Sequence, residues 1–221
     1  MVYKRVAVIG AGPSGLSALR ALADEKVFDT VRLFERREMV GGIWYVHLQI
    51  EEEPRLINCH RIHDPEPDTF PSPVAKRPTT QRPPVDLPAL TMPLGEDVGA
   101  RTGIYNSLDS NVGAKVMAFT HTPFPEINSA ASVTRYGANN PTRPWQVIAD
   151  YLEDGFKNYR HLLSLNTTVE KAKKIGSEWV LTLCKSDEKD RGKQQDYWWQ
   201  EKFDAIVVAT GHYNVPFIPA I

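Results

Sequence analysis

Cysteine is scarce: Cys59 and Cys184 are the only two in 221 residues, and they stand 125 positions apart. That spacing excludes a C-x-x-C dithiol and any zinc site built of cysteine alone, which removes the disulfide reductases and leaves two ordinary thiols. An excess of one charge is missing too. The chain has 26 basic and 27 acidic residues, a formal net charge of −1, so nothing advertises a nucleic-acid or membrane surface. No apolar run approaches the roughly 20 residues of a membrane span, and the first strand-like run begins too early for a signal peptide. A cytoplasmic, soluble protein with no nucleic-acid partner and no membrane span is the expectation. There is no Ser-His-Asp set, no pair of catalytic carboxylates and no metal-ligand spacing. His60, His63 and Asp64 come nearest, without a further ligand cluster beside them.

Glycine is absent between Gly42 and Gly95, while ten of the 17 prolines crowd between Pro54 and Pro93. Proline removes backbone donors and favours polyproline II, so this stretch is expected to hold neither sheet nor long helix. Residues 48–100 therefore read as an insertion or an ordered surface loop wrapping the domain.

What is present starts at the amino end, with VAVIGAGPSG from Val6 to Gly15. Val6, Ala7, Val8 and Ile9 show no polar alternation, as in a strand buried on both faces of a parallel sheet. Gly10, Gly12 and Gly15 follow at the G-x-G-x-x-G spacing. Gly10 permits a sharp turn off the strand, Gly12 lets a pyrophosphate approach the backbone, and Gly15 lets the next helix pack closely. Pro13 suits a first helical turn, whose free N–H groups and dipole favour a diphosphate. Glycine turns also occur in strand-to-helix connections that bind nothing, so the neighbours matter. A helix with apolar Leu16, Leu19, Leu22 and Ala23 leads to a second strand, Val31 to Phe34. It ends on Glu35, twenty residues after Gly15. An acidic residue there accepts hydrogen bonds from an adenosine ribose and repels the 2′-phosphate of NADP.

Further along, Gly41, Gly42, Ile43 and Trp44 read either as a close backbone approach with a flat aromatic face beside it or as a tight turn with a core tryptophan. The tip Ser107 to Asn111 carries Asn111, whose amide either orients a ligand or caps a loop. A helix begins at Pro144, with Trp145, Ile148, Ala149, Leu152 and Phe156 on one face. Strands are expected around Leu165 to Lys171, Glu178 to Cys184 and Tyr197 to Lys202, with charged Lys185 to Asp196 as a solvated hairpin loop. Asp204 to Gly211, DAIVVATG, suits another buried parallel strand, and small Ala209, Thr210 and Gly211 stand at the sheet edge where ligands bind. The expected fold is α/β: a Rossmann-like three-layer domain with a parallel sheet, Val6–Ile9 flanked by the second and last strands, and a small antiparallel β-meander.

The order of VAVIGAGPSG, LFERREMVGGIW, YNSLDSN with MAFTHTPFP, and VVATGHYNVPFIP resembles the first half of the flavin-containing monooxygenases, most of all the fungal ones. The resemblance implies that Gly10, Ala11, Gly12, Pro13, Ser14 and Gly15 bind the FAD phosphates and that Glu35 binds the adenosine ribose. It places Gly42, Ile43 and Trp44 along the flavin, Ser110 and catalytic Asn111 beside the isoalloxazine, and the Val169 backbone at adenine. Ala209, Thr210 and Gly211 match the hinge between two nucleotide domains. Residues 1–211 would be the FAD-binding domain, and 212–221 the start of a linker. The implied cofactors are FAD and NADPH. The implied reaction moves one atom of molecular oxygen, through a flavin peroxide, onto the soft nitrogen or sulfur of a small amine or sulfide.

The departures from the family bear on this. Its members are about twice as long, with a second glycine motif for NADPH after the hinge and an F-x-G-x-x-x-H signature, neither of which occurs here. The expectation is therefore a truncated product, or one half of a two-chain protein whose second chain supplies the rest, weak in activity alone. A Baeyer-Villiger oxygenase, a non-catalytic FAD-binding subunit and a plain NAD-binding module are the competing readings.

Overall fold

The computed structural model describes residues 3–44, 86–91, 104–105, 107–190 and 193–211. Expectations for Cys59, His60, His63, Asp64 and the segment after Gly211 lie outside the described residues. The elements are β1 (Arg5–Ile9), α1 (Pro13–Glu25), β2 (Thr30–Phe34), β3 (Ala89–Thr91), α2 (Ala114–Met117), α3 (Ala130–Tyr136), α4 (Trp145–Phe156), β4 (Leu163–Ser164), β5 (Thr167–Ile175), β6 (Glu178–Asp190), β7 (Lys193–Phe203) and β8 (Ala205–Val208).

A parallel sheet runs in the order β4-β2-β1-β8, and an antiparallel sheet in the order β3-β7-β6-β5. The unalternating apolar run of β1 has the physical basis expected of it, because each face of the sheet is covered. Val8 and Leu33 pack with Leu16 and Leu19 of α1 and with Ile148, Leu152 and Phe156 of α4. Ala7 and Phe34 instead face Leu181, Leu183 and Phe203 of the antiparallel sheet. The layers are thus helices, parallel sheet and meander. Each fully buried leucine or phenylalanine contributes about 1.5–3 kcal/mol toward holding them together.

Three sequence expectations need correction. The proline-rich stretch does contribute a strand: Ala89–Thr91 is free of proline, keeps all its N–H groups and pairs with Asp196–Trp198 of β7. The charged stretch from Lys185 to Asp196 is not a loop, since β6 and β7 stay paired out to Asp190 and Lys193. A backbone ladder needs no apolar residues to continue, so charge density misplaced the strand ends there. Within that stretch Asp196 is only 1% exposed. Finally, β8 is an edge strand rather than a buried one. Among the described residues nothing pairs with its outer side, and Val208 is 67% exposed. Among the same residues no helix is long and apolar enough to cross a membrane.

At the amino ends of β1 and β8 an ion cluster ties the two sheets. Asp204 accepts the N–H groups of Lys4 and Arg5, both at 2.8 Å, and an Arg5 Nη2 hydrogen bond at 2.6 Å. Arg5 Nη2 also donates to Glu178 Oε1 of β6 at 2.6 Å, and Lys202 stands 3.4 Å from the same carboxylate. The Arg5 guanidinium and the two backbone donors hold the Asp204 carboxyl down at about 2, below its ordinary value. A depressed carboxylate stabilises the fold fully above the unfolded-state pKa of about 3.9 and loses that contribution as pH falls toward 2. In urea unfolding, Asp204→Asn is therefore expected to be less stable than wild type at pH 7, with the gap closing between about pH 4 and pH 2. A gap independent of pH would count against this clamp.

Candidate functional site

The carboxyl ends of β1, β2 and β8 share one edge, and a cavity of about 460 Å³ opens there. β1 lies between β2 and β8, so the connections diverge on either side of it, the place where open α/β sheets take ligands.

The chain leaves β1 through Gly10 at φ +104°, and a Cβ there would lie 2.5 Å from the Ala209 carbonyl oxygen. A Cβ on Gly15 would lie 1.9 Å from the Gly10 carbonyl oxygen. Both glycines therefore serve the protein's own packing. Gly12 differs. Its φ of −82° and ψ of −172° suit any residue, and a Cβ would meet only the Gly42 Cα, at an ordinary 3.6 Å. Among the described residues nothing requires a glycine at position 12, and what its missing side chain leaves open is cavity.

The first helical bond of α1 runs from the Leu16 N–H to the Gly12 carbonyl at 3.0 Å, and no side chain caps the helix. The Ser14 and Gly15 N–H groups thus have no helical carbonyl to bind, and Pro13 has no N–H at all. That end of the dipole favours an anion, and Arg36 and Arg37 bring positive charge to the same wall.

Glu35, 6% exposed, fixes the opposite side of the turn. Its Oε2 accepts the Ala11 N–H at 2.7 Å and its Oε1 the Arg37 N–H at 3.0 Å. A carboxylate offers about four acceptor positions, so two remain for hydroxyl donors in the cavity that Glu35 lines. The Gly41 N–H donates to the Ala11 carbonyl at 2.8 Å, which stacks the double-glycine turn on the first one. Gly42 stands at φ +61°, and a Cβ on it would come 2.8 Å from the Gly12 Cα.

The structure brings together at this cavity Gly10, Ala11, Gly12, Pro13, Ser14, Glu35, Gly42, Ile43, Val169, Ala209, Thr210 and Gly211. Gly15 lies buried beneath it. Val169 is presented where the β5–β6 register shifts, between Val169 and Lys171. Trp44, Ser110 and Asn111 do not line it. Trp44 packs against the helical-side core. The Ser110 hydroxyl accepts the Arg143 N–H at 3.0 Å and donates to the Val112 carbonyl at 2.8 Å, which makes it a brace between loops. Asn111 is exposed beside it.

Sequence reasoning missed Arg36, Arg37, Thr167 and Thr168, which also line the cavity. The arginines had a signal, adjacency to Glu35. The threonines had none, because the Thr167 N–H reaches the Glu35 carbonyl, at 2.8 Å, only through the tertiary fold.

A flavin-binding monooxygenase-like family model matches residues 3–58. The chain is 30% identical to the flavin-containing monooxygenase iboF of Amanita muscaria over 244 residues, a match spanning 99% of this chain and 41% of that protein. It is 26% identical to the trimethylamine monooxygenase of a Roseovarius species, over 99% of this chain and 38% of that one. In fold it is similar to the S-allyl-L-cysteine S-oxygenase of Allium sativum, with a TM-score of 0.57 at 23% identity, covering 96% of this chain and 37% of that one. The chain spans about two fifths of the length of the curated relatives it matches. It is similar to the N-terminal part of the flavin-containing monooxygenases.

The two kinds of glycine are separable by experiment. Gly15→Ala, forced against a backbone oxygen, is expected to lose about 1–3 kcal/mol or more in urea unfolding. Gly12→Ala, at an N-cap where alanine is less favoured than glycine, should lose no more than about 1 kcal/mol. Equal losses would show that Gly12 is a packing residue after all.

Proposed function

We propose that this chain is the FAD-binding part of a flavin monooxygenase that, with NADPH as reductant, transfers one oxygen atom from molecular oxygen to a soft nitrogen or sulfur centre of a small substrate. The observation that carries the reading is Gly12, a glycine facing a cavity where the protein itself has room for a side chain. It sits in a turn whose free donors suit a diphosphate, 23 residues before an acidic residue suited to a ribose. Similarity to flavin-containing monooxygenases, one of them a trimethylamine monooxygenase, supports the reaction class.

In this reading the backbone from Ala11 to Ser14 holds the diphosphate, and the two free acceptor positions of Glu35 take the ribose hydroxyls. The Glu35 charge repels a 2′-phosphate, so this cavity takes FAD rather than NADPH, which binds elsewhere. The backbone at Val169 faces adenine, and Gly42 and Ile43 follow the flavin half, with Trp44 anchoring their turn in the core. Ser110 braces the tip that presents Asn111 beside the isoalloxazine. Ala209, Thr210 and Gly211 form the hinge toward an NADPH site, assigned to the part of the relatives that this chain does not span, in a following domain or a partner chain. Bound FAD supplies the redox chemistry; this chain binds it, orients it and keeps water from its reactive face. The overall balance is NADPH, a proton, oxygen and substrate giving NADP+, water and oxygenated substrate.

Titration with FAD, followed by protein-bound absorbance near about 450 nm, tests the reading. FAD is expected to be retained while FMN, which lacks the adenosine half, is not. Gly12→Ala should weaken FAD binding by about tenfold or more with little change in unfolding midpoint. A protein that takes up NAD and no FAD would be a plain NAD-binding module, and the oxygenase reading would fall. On the full-length protein, NADPH oxidation stimulated by a tertiary amine or a thioether fits the proposed substrate class; stimulation by ketones alone would favour Baeyer-Villiger chemistry.

A further inference from the structure

We infer that Arg37 is the positioning residue of the cavity, holding the double-glycine turn in place over the diphosphate-binding turn. The inference rests on the reading of the cavity as an FAD site. Two of its walls are turns that no strand ladder stiffens, Gly10–Gly12 and the segment around Gly41–Ile43, and the third, Thr167–Val169 of β5, is entered through the Leu165–Asn166 connection. Arg37 is bonded toward all three. Its N–H donates to Glu35 Oε1 at 3.0 Å, and the other oxygen of that carboxylate holds the Ala11 N–H. Its carbonyl accepts the Asn166 N–H at 2.9 Å, in a turn where Asn166 stands at φ +52°. Its guanidinium Nη1 donates to the Gly42 carbonyl.

The third bond is made by the side chain, and it acts where the two glycine turns pack against each other. Gly42 has a positive φ, and a Cβ on it would stand 2.8 Å from the Gly12 Cα, so the two turns pack with no room for a side chain at position 42. A short 3-10 turn, Gly42–Trp44, starts there and carries Ile43 to the cavity wall. Beside the Gly41–Ala11 backbone bond, the Arg37 side chain is a further polar link from this turn back to the Glu35 corner. Holding a ligand-lining turn before the ligand arrives reduces the ordering cost of binding. Arg36, its neighbour in sequence, carries the same charge on the same wall and gives the comparison for Arg37.

The test uses Arg37→Met, Arg37→Lys and Arg36→Met in the full-length protein, with two readouts. One is amide hydrogen exchange of residues 38–44 without ligand, and the other is FAD affinity by flavin fluorescence. Arg37→Met keeps the backbone bonds and the stem but loses the guanidinium. It is expected to speed exchange across 38–44 by on the order of tenfold and to weaken FAD by a similar factor. Arg37→Lys, which retains a donor, should fall between Met and wild type. Arg36→Met should weaken FAD through lost charge and leave exchange of 38–44 at the wild-type rate. Exchange within about twofold of wild type in Arg37→Met, or equal acceleration in Arg36→Met, would overturn the inference. If wild type itself takes up no FAD, the proposed function fails, while the exchange comparison still decides whether Arg37 is the tether.

Discussion

The hydrogen bond from the Ala11 N–H to the Glu35 carboxylate is the constraint on which the rest of this structure depends. It joins the turn after β1 to the end of β2, in a buried corner where a charge-assisted bond is stronger than in water. The parallel register brings Ile9 level with Phe34, and the Gly10 N–H reaches the Phe34 carbonyl at 2.8 Å. From there the acidic side chain has only one turn of backbone to meet. The carboxylate is committed to backbone N–H donors through both oxygens, and the residue also lines the cavity. The same group therefore shapes the turn and lines the cavity beside it.

Two requirements keep that corner in place. The first is burial on both faces of β1, with Val8 toward the helices and Ala7 toward the meander, so that the central strand cannot slip without exposing one set or the other. The second is the Arg5–Asp204–Glu178 cluster at the opposite ends of the strands, which pins β1, β8 and β6 together far from the ligand edge. The cavity-side turns are held instead by their own bonds, Ala11 to Glu35 and Gly41 to Ala11. Gly10 and Gly15 serve the packing of that edge and Gly12 serves its opening, though all three stand in one hexapeptide.

What could be read from the sequence was whatever is written locally. The β1 run, the glycine spacing, the acidic end of β2 and the 3.6-residue stripe of α4 each occupy a short window with its own physical signature. The misread parts were decided by distant partners. Ala89–Thr91 became a strand because β7 offered it an edge, and the charged ends of β6 and β7 pair through backbone groups that side-chain type does not reveal. At the site, Glu35 was legible from its spacing, but its bonds to Ala11 and Arg37 were not. Thr167 and Thr168 reach the wall through the Asn166 turn, whose position depends on the Arg37 carbonyl. Ser110 shows the opposite case: its place in a motif is visible in sequence, whereas its bracing of Arg143 is visible only in three dimensions.

The most direct measurement is a crystal structure of the protein grown with FAD. The account predicts the diphosphate against the backbone from Gly12 to Ser14, with the adenosine ribose hydroxyls on the Glu35 carboxylate. Density for the diphosphate anywhere else, or a Glu35 carboxylate still out of reach of the ribose, would contradict it.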